Sequence, residues 1–424
     1  MSLFANWSNL SLMAARLLPL RISLGAAAIR ALRCRKGQDL FVDLGQNLRS
    51  MTRGQVLSTS LALAAFWRRY LPPECRRLGI LLPPGSMPAV LHLAAILAGR
   101  VPVHLPIAYL GNPVTRNNLL ARDGIQTVIS SRALFPEHSL PSGWTDLREV
   151  ISRVGFADKL FARLSQRILP SFVIIRHLKL QVVDPTREAV AYADKTTGRL
   201  VSLSHLNLLA TVQQIDSTLA LLPGERILVD NTLTSIPALT FGLWYPCLKR
   251  NTVLFRSLSA RKIDPVIVLC DQEPEAVLLS RDLRDQLIGS PLQLPASIRI
   301  FLDFLTEALS PEQTAHLEAS GATCCFGYAP PGFGAIVSMC SLDPDSMVPP
   351  GTAGQLLPGL SARLISPDGN PLEANEGTKG ILCVRGCSIP GNPDLIIEGV
   401  PHHRLDVRAQ FDRHGFLTLC GNAL

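Results

Sequence analysis

Apolar residues recur along this chain in two rhythms, one helical and one of short unbroken runs, and they alternate. "TRGQVLSTSLALAAFWRRY" (Thr52 to Tyr70) carries an apolar face at helical spacing and ends in arginines, a favourable place for cations at a helix C-terminus. The run Leu78 to Leu82 reads as a buried strand, Pro83 to Gly85 as a turn, Met87 to Ala98 as a helix stopped by Gly99, and Val101 to Leu105 as a second strand. Strand, helix and strand in that order predict a parallel sheet, and Ile125 to Ser131 supplies a further strand. The pattern returns with a strand over Arg187–Ala193, a loop, and a helix from Ser204 to Leu221 with Ser204 as its cap. Val266–Cys270 and Ile298–Phe304 are further buried strand candidates. After about Pro349 the helical period vanishes, and short alternating strands are divided by Asp-Gly-Asn and Asn-Glu-Gly turns.

The expected architecture is therefore α/β, parallel sheets with helices followed by a small β-rich subdomain. Its parts are a basic apolar segment over 1–36, an α/β body over 37–349 and the β-rich subdomain over 350–424. At 424 residues the chain exceeds one ordinary core, and 47% hydrophobic against 17% charged residues excludes extended disorder. A net charge of +8 would suit nucleic acid, anionic lipid or an acidic protein, but the basic residues are scattered and aromatics make up only 6%, so nucleic acid is not expected. The 10 cysteines form no CxxC and no zinc-spaced cluster, which predicts buried, reduced thiols and no metal site.

The stretch Leu10 to Lys36 is apolar with interspersed arginines. Arg16, Pro19 and Arg21 interrupt it before the roughly 20 apolar residues a bilayer span needs. No small-residue cleavage site follows it. Two readings remain open, a helix packed on the body and a helix lying on a membrane or partner surface. The expected location is cytoplasmic, with peripheral contact at the inner face of the membrane under the second reading.

Three motifs occur in order: "AYADKTTGRLVSLSH" from Ala191 to His205, "GYA" from Gly327 to Ala329, and "GTAGQLLPG" from Gly351 to Gly359. With them the chain resembles the acyl-adenylate-forming (AMP-binding) superfamily, whose enzymes activate carboxylic acids with ATP. Within it, the sequence is most similar to the synthetase half of the bacterial 2-acylglycerophosphoethanolamine acyltransferase/acyl-ACP synthetases. The resemblance runs from about Gly37 to the C-terminus and covers most of the family's large N-terminal domain.

The family's loop reads Ser/Thr-Gly-Ser/Thr-Thr-Gly-x-Pro-Lys-Gly and leads to Leu-Ser-His. Thr196, Thr197, Gly198 and Leu203-Ser204-His205 match it; Asp194 and Lys195 stand in place of Ser and Gly, the Pro-Lys pair is missing, and the loop is two residues short. A Gly-rich loop binds phosphate through concave backbone N–H groups, and a bulky side chain at the Gly position opposes both the φ and the close approach. The family's His, in a pattern like Leu-Phe-His-Ser, falls at Thr234. Its Gly-Tyr-Gly-x-Thr-Glu becomes "GYAPPG", which keeps the adenine-stacking Tyr328 but puts Pro331 and Gly332 where a Thr and the magnesium-holding Glu belong. Asp406 corresponds to the ribose-binding Asp. A Gly-Arg hinge becomes Gly421-Asn422 before the sequence stops at Leu424, so the domain that brings the family's catalytic Lys is expected to be absent. None of the nine histidines has an Asp five positions on, so the relatives' acyltransferase signature has no match.

The resemblance thus implies degenerate nucleotide-binding residues Thr196, Thr197, Gly198, Tyr328 and Asp406, with no catalytic residue assigned and ATP and Mg²⁺ needed only for residual activity. Each also has a structural reading: Tyr328 as a core aromatic, Asp406 as a turn residue, and the threonines as loop formers. His402 and His403, near Asp406, suggest base chemistry or a solvated pair in a turn. The expected partners are a fatty acid or acyl carrier protein, and a separate chain supplying the missing domain. Two roles follow: an inefficient ligase fold kept for acyl or nucleotide binding or for scaffolding, and an acyl-ACP or acyl-CoA ligase completed by that second chain.

Overall fold

Strand Asp39–Leu44 (β1) sends the Asp43 carboxylate to the start of the helix Ser86–Leu97, where it accepts from the Ser86 N–H at 2.7 Å and the Ser86 hydroxyl at 2.5 Å. That helix has Gly85 at its N-cap and no capping side chain of its own, so a neighbouring strand supplies the anion its first turn favours. The structure is a computed structural model that describes residues 22–45, 48–135, 139–182, 184–219, 221–258, 260–304, 307, 309–342, 348–373 and 377–422. Leu10–Arg21 of the N-terminal segment, most of the Asn-Glu-Gly turn and the final two residues lie outside the described residues.

One unit comprises Arg21–His205 and Pro223–Ile263. Beside β1 its strands are Arg49–Thr52 (β2), Arg77–Ile80 (β3), Val101–His104 (β4), Ile125–Ser130 (β5), Trp144–Asp146 (β6), Glu188–Ala193 (β7), Leu200–Ser204 (β8), Arg226–Val229 (β9) and Thr252–Arg256 (β10). β9, β10 and β1 run parallel in that order, with β2 antiparallel at the side of β1. A second sheet has the order β6-β5-β3-β4-β7-β8, parallel up to the antiparallel pair β7–β8. The unbroken apolar runs behave as strands covered on both faces should: every residue of β4 and of β10 is buried. The helix Leu24–Leu32, capped by Ser23, buries all but two of its residues, which gives the described part of the N-terminal segment the packed reading. The helix Arg53–Tyr70 opens on a reciprocal capping box between Thr52 and Gln55.

The other unit includes Leu206–Leu222 and Asp264–Leu424. Ala276–Leu278 (β11), Ile300–Asp303 (β12) and Thr323–Tyr328 (β13) are parallel, and Ser338–Met339 (β14) and Gln355–Leu356 (β15) continue antiparallel from β13. The β-rich part follows as Ser361–Ile365 (β16), Pro371–Leu372 (β17), Gly380–Arg385 (β18), Leu395–Ile397 (β19), Val400–Phe411 (β20) and Leu417–Asn422 (β21). Their order is β17-β16-β18-β20-β19, with β21 also paired to β20, all antiparallel. The Asn207 side-chain amide, on the helix His205–Leu219, donates to the carbonyls of Cys387 and Ile389, and Gln214 donates to Pro358. The α/β class with a β-rich subdomain is therefore what the chain adopts.

Three local expectations are corrected. Val266–Cys270 is helical, within Pro265–Gln272, because Asp264 caps the Val266 N–H at 2.8 Å and Pro265 fits the first turn; these start signals outweigh the β-branched run. The segment after the motif loop is the strand β8, not loop, and the following helix begins at His205. His402 and His403 lie within β20 instead of a solvated turn: His402 is buried with Nδ1 2.9 Å from the Val400 carbonyl, and His403 stands edge-on to Phe333. Among the described residues no helix is long and apolar enough to cross a membrane.

Candidate nucleotide site

β7 and β8 pair from Glu188↔Ser204 to Ala193↔Leu200, and the motif loop is the hairpin connection between them. The Asp194 N–H donates to the Arg199 carbonyl at 2.9 Å, and the Gly198 N–H donates back to the Asp194 carbonyl at 2.9 Å. Gly198 has φ +65°, the single left-handed residue of the turn, with nothing within 4 Å of where a Cβ would stand. Its requirement is conformational. Lys195, at the family's Gly position, does not adopt a positive φ, because the shortened hairpin no longer asks for one there.

The Asp194 side chain turns inward over this hairpin. Its Oδ1 accepts from the Thr196 N–H at 3.0 Å, the Thr197 N–H at 2.7 Å and the Thr197 hydroxyl at 3.0 Å. Asp194 is buried, while Lys195, Thr196, Thr197 and Arg199 are exposed. The backbone donors that a phosphate loop offers to an anion are thus filled by the chain's own carboxylate, as in an Asx turn. Tyr109 and Tyr192 flank this acid, and burial first, then the Asp194 charge, pushes both phenols up.

His205, the last residue of the loop motif, is buried. Its Nδ1 accepts from the Leu24 N–H at 3.2 Å, and burial lowers its pKa to about 4. The imidazole is a neutral structural acceptor. Thr234, at the family's His position, is also buried and shares a 2.8 Å hydroxyl–hydroxyl hydrogen bond with Thr232.

Tyr328 and Asp406 both lie in the second unit. Tyr328 ends β13, is 7% exposed and packs among Ala335, Val337, Leu405 and Val407. It is thus part of that unit's core. Asp406 projects from the exposed face of β20, a strand and not a turn, and its charge adds to burial in raising the Tyr328 phenol. Beyond Tyr328 the chain turns through Pro330 and Gly332 (φ +69°), and the Phe333 N–H bonds to the Pro330 carbonyl at 3.2 Å. The positions for a metal-holding side chain are thus a proline and a glycine in a tight turn. No group of three or more His, Cys, Asp or Glu suited to a metal occurs among the described residues. In the first unit the Thr196 and Thr197 amides are taken by Asp194, and in the second the turn over 329–332 holds no carboxylate for a cation.

The AMP-binding enzyme family model matches residues 33–390. The chain belongs to that family. Solved structures of the same fold include a benzoate CoA ligase from Burkholderia xenovorans LB400, 19% identical with TM-score 0.76, covering 95% of this chain and 80% of that one. A long-chain-fatty-acid-CoA ligase from Archaeoglobus fulgidus is 14% identical with TM-score 0.75, covering 95% of this chain and 84% of that one. An ATP-bound RpMatB-BxBclM chimera is 16% identical with TM-score 0.70, covering 94% of this chain and 79% of that one. Within this AMP-binding fold, the inward turn of Asp194 is the feature that sequence comparison missed. An Asp followed two and three residues later by Thr N–H groups was the available signal.

Proposed function

We propose that this AMP-binding family member is a catalytically degenerate adenylate-forming fold that serves as an acyl- or nucleotide-binding or scaffolding partner, without efficient ligase activity of its own. The observation that carries this reading is the Asp194 carboxylate seated on the Thr196 and Thr197 amides. A triphosphate would have to displace an anion that is covalently part of the loop. Removing one preorganised charge-stabilising group typically costs about 10²–10³ in rate. The altered loop, the missing magnesium carboxylate and Thr234 in place of His each remove such a group. Strong non-additivity still leaves a poor ligase. The resemblance to acyl-ACP synthetases supports a fatty acid or acyl carrier protein as ligand.

The test is calorimetry of the full chain with ATP plus Mg²⁺ and, separately, with a fatty acid, together with acid-dependent pyrophosphate exchange. Acyl-ligand binding without exchange supports the reading. Robust exchange by the chain alone overturns it. Retention of Tyr328 beside Asp406 favours one alternative, an acyl-ACP or acyl-CoA ligase completed by a second chain bearing the catalytic Lys. Recovery of ligase activity on mixing the two chains would establish that alternative.

A further inference from the structure

The helix Phe156–Arg167 presents an apolar stripe to solvent. Phe156, Leu160 and Leu164 recur at every fourth position and are 79%, 45% and 46% exposed; Ile168 and Phe172, just beyond, are each 69% exposed. Scattered apolar residues on a surface are ordinary, whereas three along one helix face, with Ile168 at its C-cap and Phe172 on the next helix, Ser171–His177, form a patch that water solvates poorly. The opposite side of the helix is held down by Ala162, Ser165 and Asp158, the last paired with Arg69 at 2.7 Å, so the stripe is not needed for the fold.

The charges beside the stripe have one sign. Between Leu147 and Val182 the chain has seven Lys and Arg against two acids, and both acids are engaged, Asp158 with Arg69 and Glu149 with Arg153 at 2.5 Å. Lys159, Arg163 and Arg167 lie along one flank of the stripe, about a quarter-turn from it. That flank opens into a groove of about 480 Å³ lined by Lys36, Thr52, Ser58, Arg163, Gln166 and Arg167. An apolar stripe with cations on its flank and a polar, cationic groove alongside matches the layering of a bilayer surface. Acyl chains take the stripe and headgroup phosphates take the arginines.

We propose that this face docks the protein on an anionic lipid bilayer, with Phe156, Leu160, Leu164, Ile168 and Phe172 entering the interfacial layer and Arg163 and Arg167 meeting the headgroup phosphates. The surface is distinct from the 10–36 segment and does not depend on the state of the nucleotide site.

Flotation of the full chain with vesicles of equal parts phosphatidylcholine and phosphatidylglycerol, and with phosphatidylcholine alone, tests this. Binding is expected on the anionic vesicles, weakened by salt, and much reduced on the neutral ones. Arg163→Glu with Arg167→Glu should lower the partition coefficient by at least about twentyfold, at about fivefold per lost cation. Phe156→Ser with Leu160→Ser and Phe172→Ser should lower it by roughly tenfold or more per side chain. All five positions are exposed, so unchanged circular dichroism and melting temperature are expected and separate lost docking from lost fold. Equal binding to both vesicle types, no binding to either, or wild-type binding by both variants overturns the proposal. Binding to polyglutamate as strong as to anionic vesicles also overturns it, in favour of an acidic protein partner.

Discussion

The Asp194 carboxylate accepts a 2.7 Å hydrogen bond from the Thr197 N–H three residues along, inside the loop where the family holds phosphate. Asp194→Ala removes three hydrogen bonds to a charged acceptor and should destabilise the protein by about 2 kcal/mol. The same change frees the Thr196 and Thr197 amides. Pyrophosphate affinity, measured by calorimetry, should therefore rise as stability, measured by urea denaturation, falls. A variant that loses stability with no gain in pyrophosphate binding would show that the carboxylate is not what closes the loop.

The hydrophobic rhythm made most of the fold legible. The helices Arg53–Tyr70 and Ser86–Leu97 and the strands β3, β4, β5 and β7 lie within a residue or two of their expected bounds. It failed at Val266–Cys270, where β-branched residues mimic a strand and the Asp264–Pro265 start signal decides. At the site, the loss of the Pro-Lys pair was readable, and so was the bare turn after Tyr328. The direction in which Asp194 points was not, because repulsion of a ligand and capture of the loop's own amides come from the same residue type. Only the tight geometry of a shortened hairpin selects between them.

Acid should weaken this protein earlier than its carboxylates alone would. His92 Nδ1 and His104 Nε2 stand 2.8 Å apart beside Trp244, both fully enclosed. Burial lowers the pKa of His104 to about 3 and that of His205 to about 4; burial and then His104 lower that of His92. Against an unfolded value of about 6.5, the unfolded chain binds more protons below that pH, so stability is full above it and falls as pH drops toward 4. Each group contributes a slope of about 1.4 kcal/mol per pH unit within its window. Urea midpoints taken across that range should show it. His205→Asn, which keeps an acceptor for the Leu24 N–H, should flatten the slope while sparing stability at neutral pH; an unchanged slope would contradict the assignment.

Gly354 has φ +80°, and a Cβ there would stand 2.1 Å from the Met339 carbonyl carbon. Gly354→Ala should cost about 3 kcal/mol or more, since the backbone of β14 cannot yield as a side chain could. Gly351 has φ +74° but open space around it, and Gly351→Ala should cost only about 1 kcal/mol. Chemical denaturation of the two variants should separate close approach from conformation; equal losses would remove the packing argument.

Arg53 is fully buried and donates to the carbonyls of Ala31, Pro246 and Cys247, tying the helices Leu24–Leu32 and Tyr245–Lys249 to one guanidinium. Arg53→Ala should lose about 3–5 kcal/mol by stranding those acceptors. Arg53→Lys should recover only part, because a single ammonium cannot reproduce the spread of the fork. Melting temperatures of the pair check this, and equal stability of Lys and wild type would refute it.

Among the described residues the backbone passes between the two units at His205–Leu206, Leu222–Pro223 and Ile263–Asp264. A cut at His205–Leu206 or at Leu222–Pro223 therefore leaves β9 and β10 on a different piece from the eight other strands of their unit. A nascent chain emerging from the ribosome must wait for Thr252–Arg256 before β1 finds its parallel neighbour. Premature stop codons upstream of there should give insoluble fragments instead of half-sized working proteins.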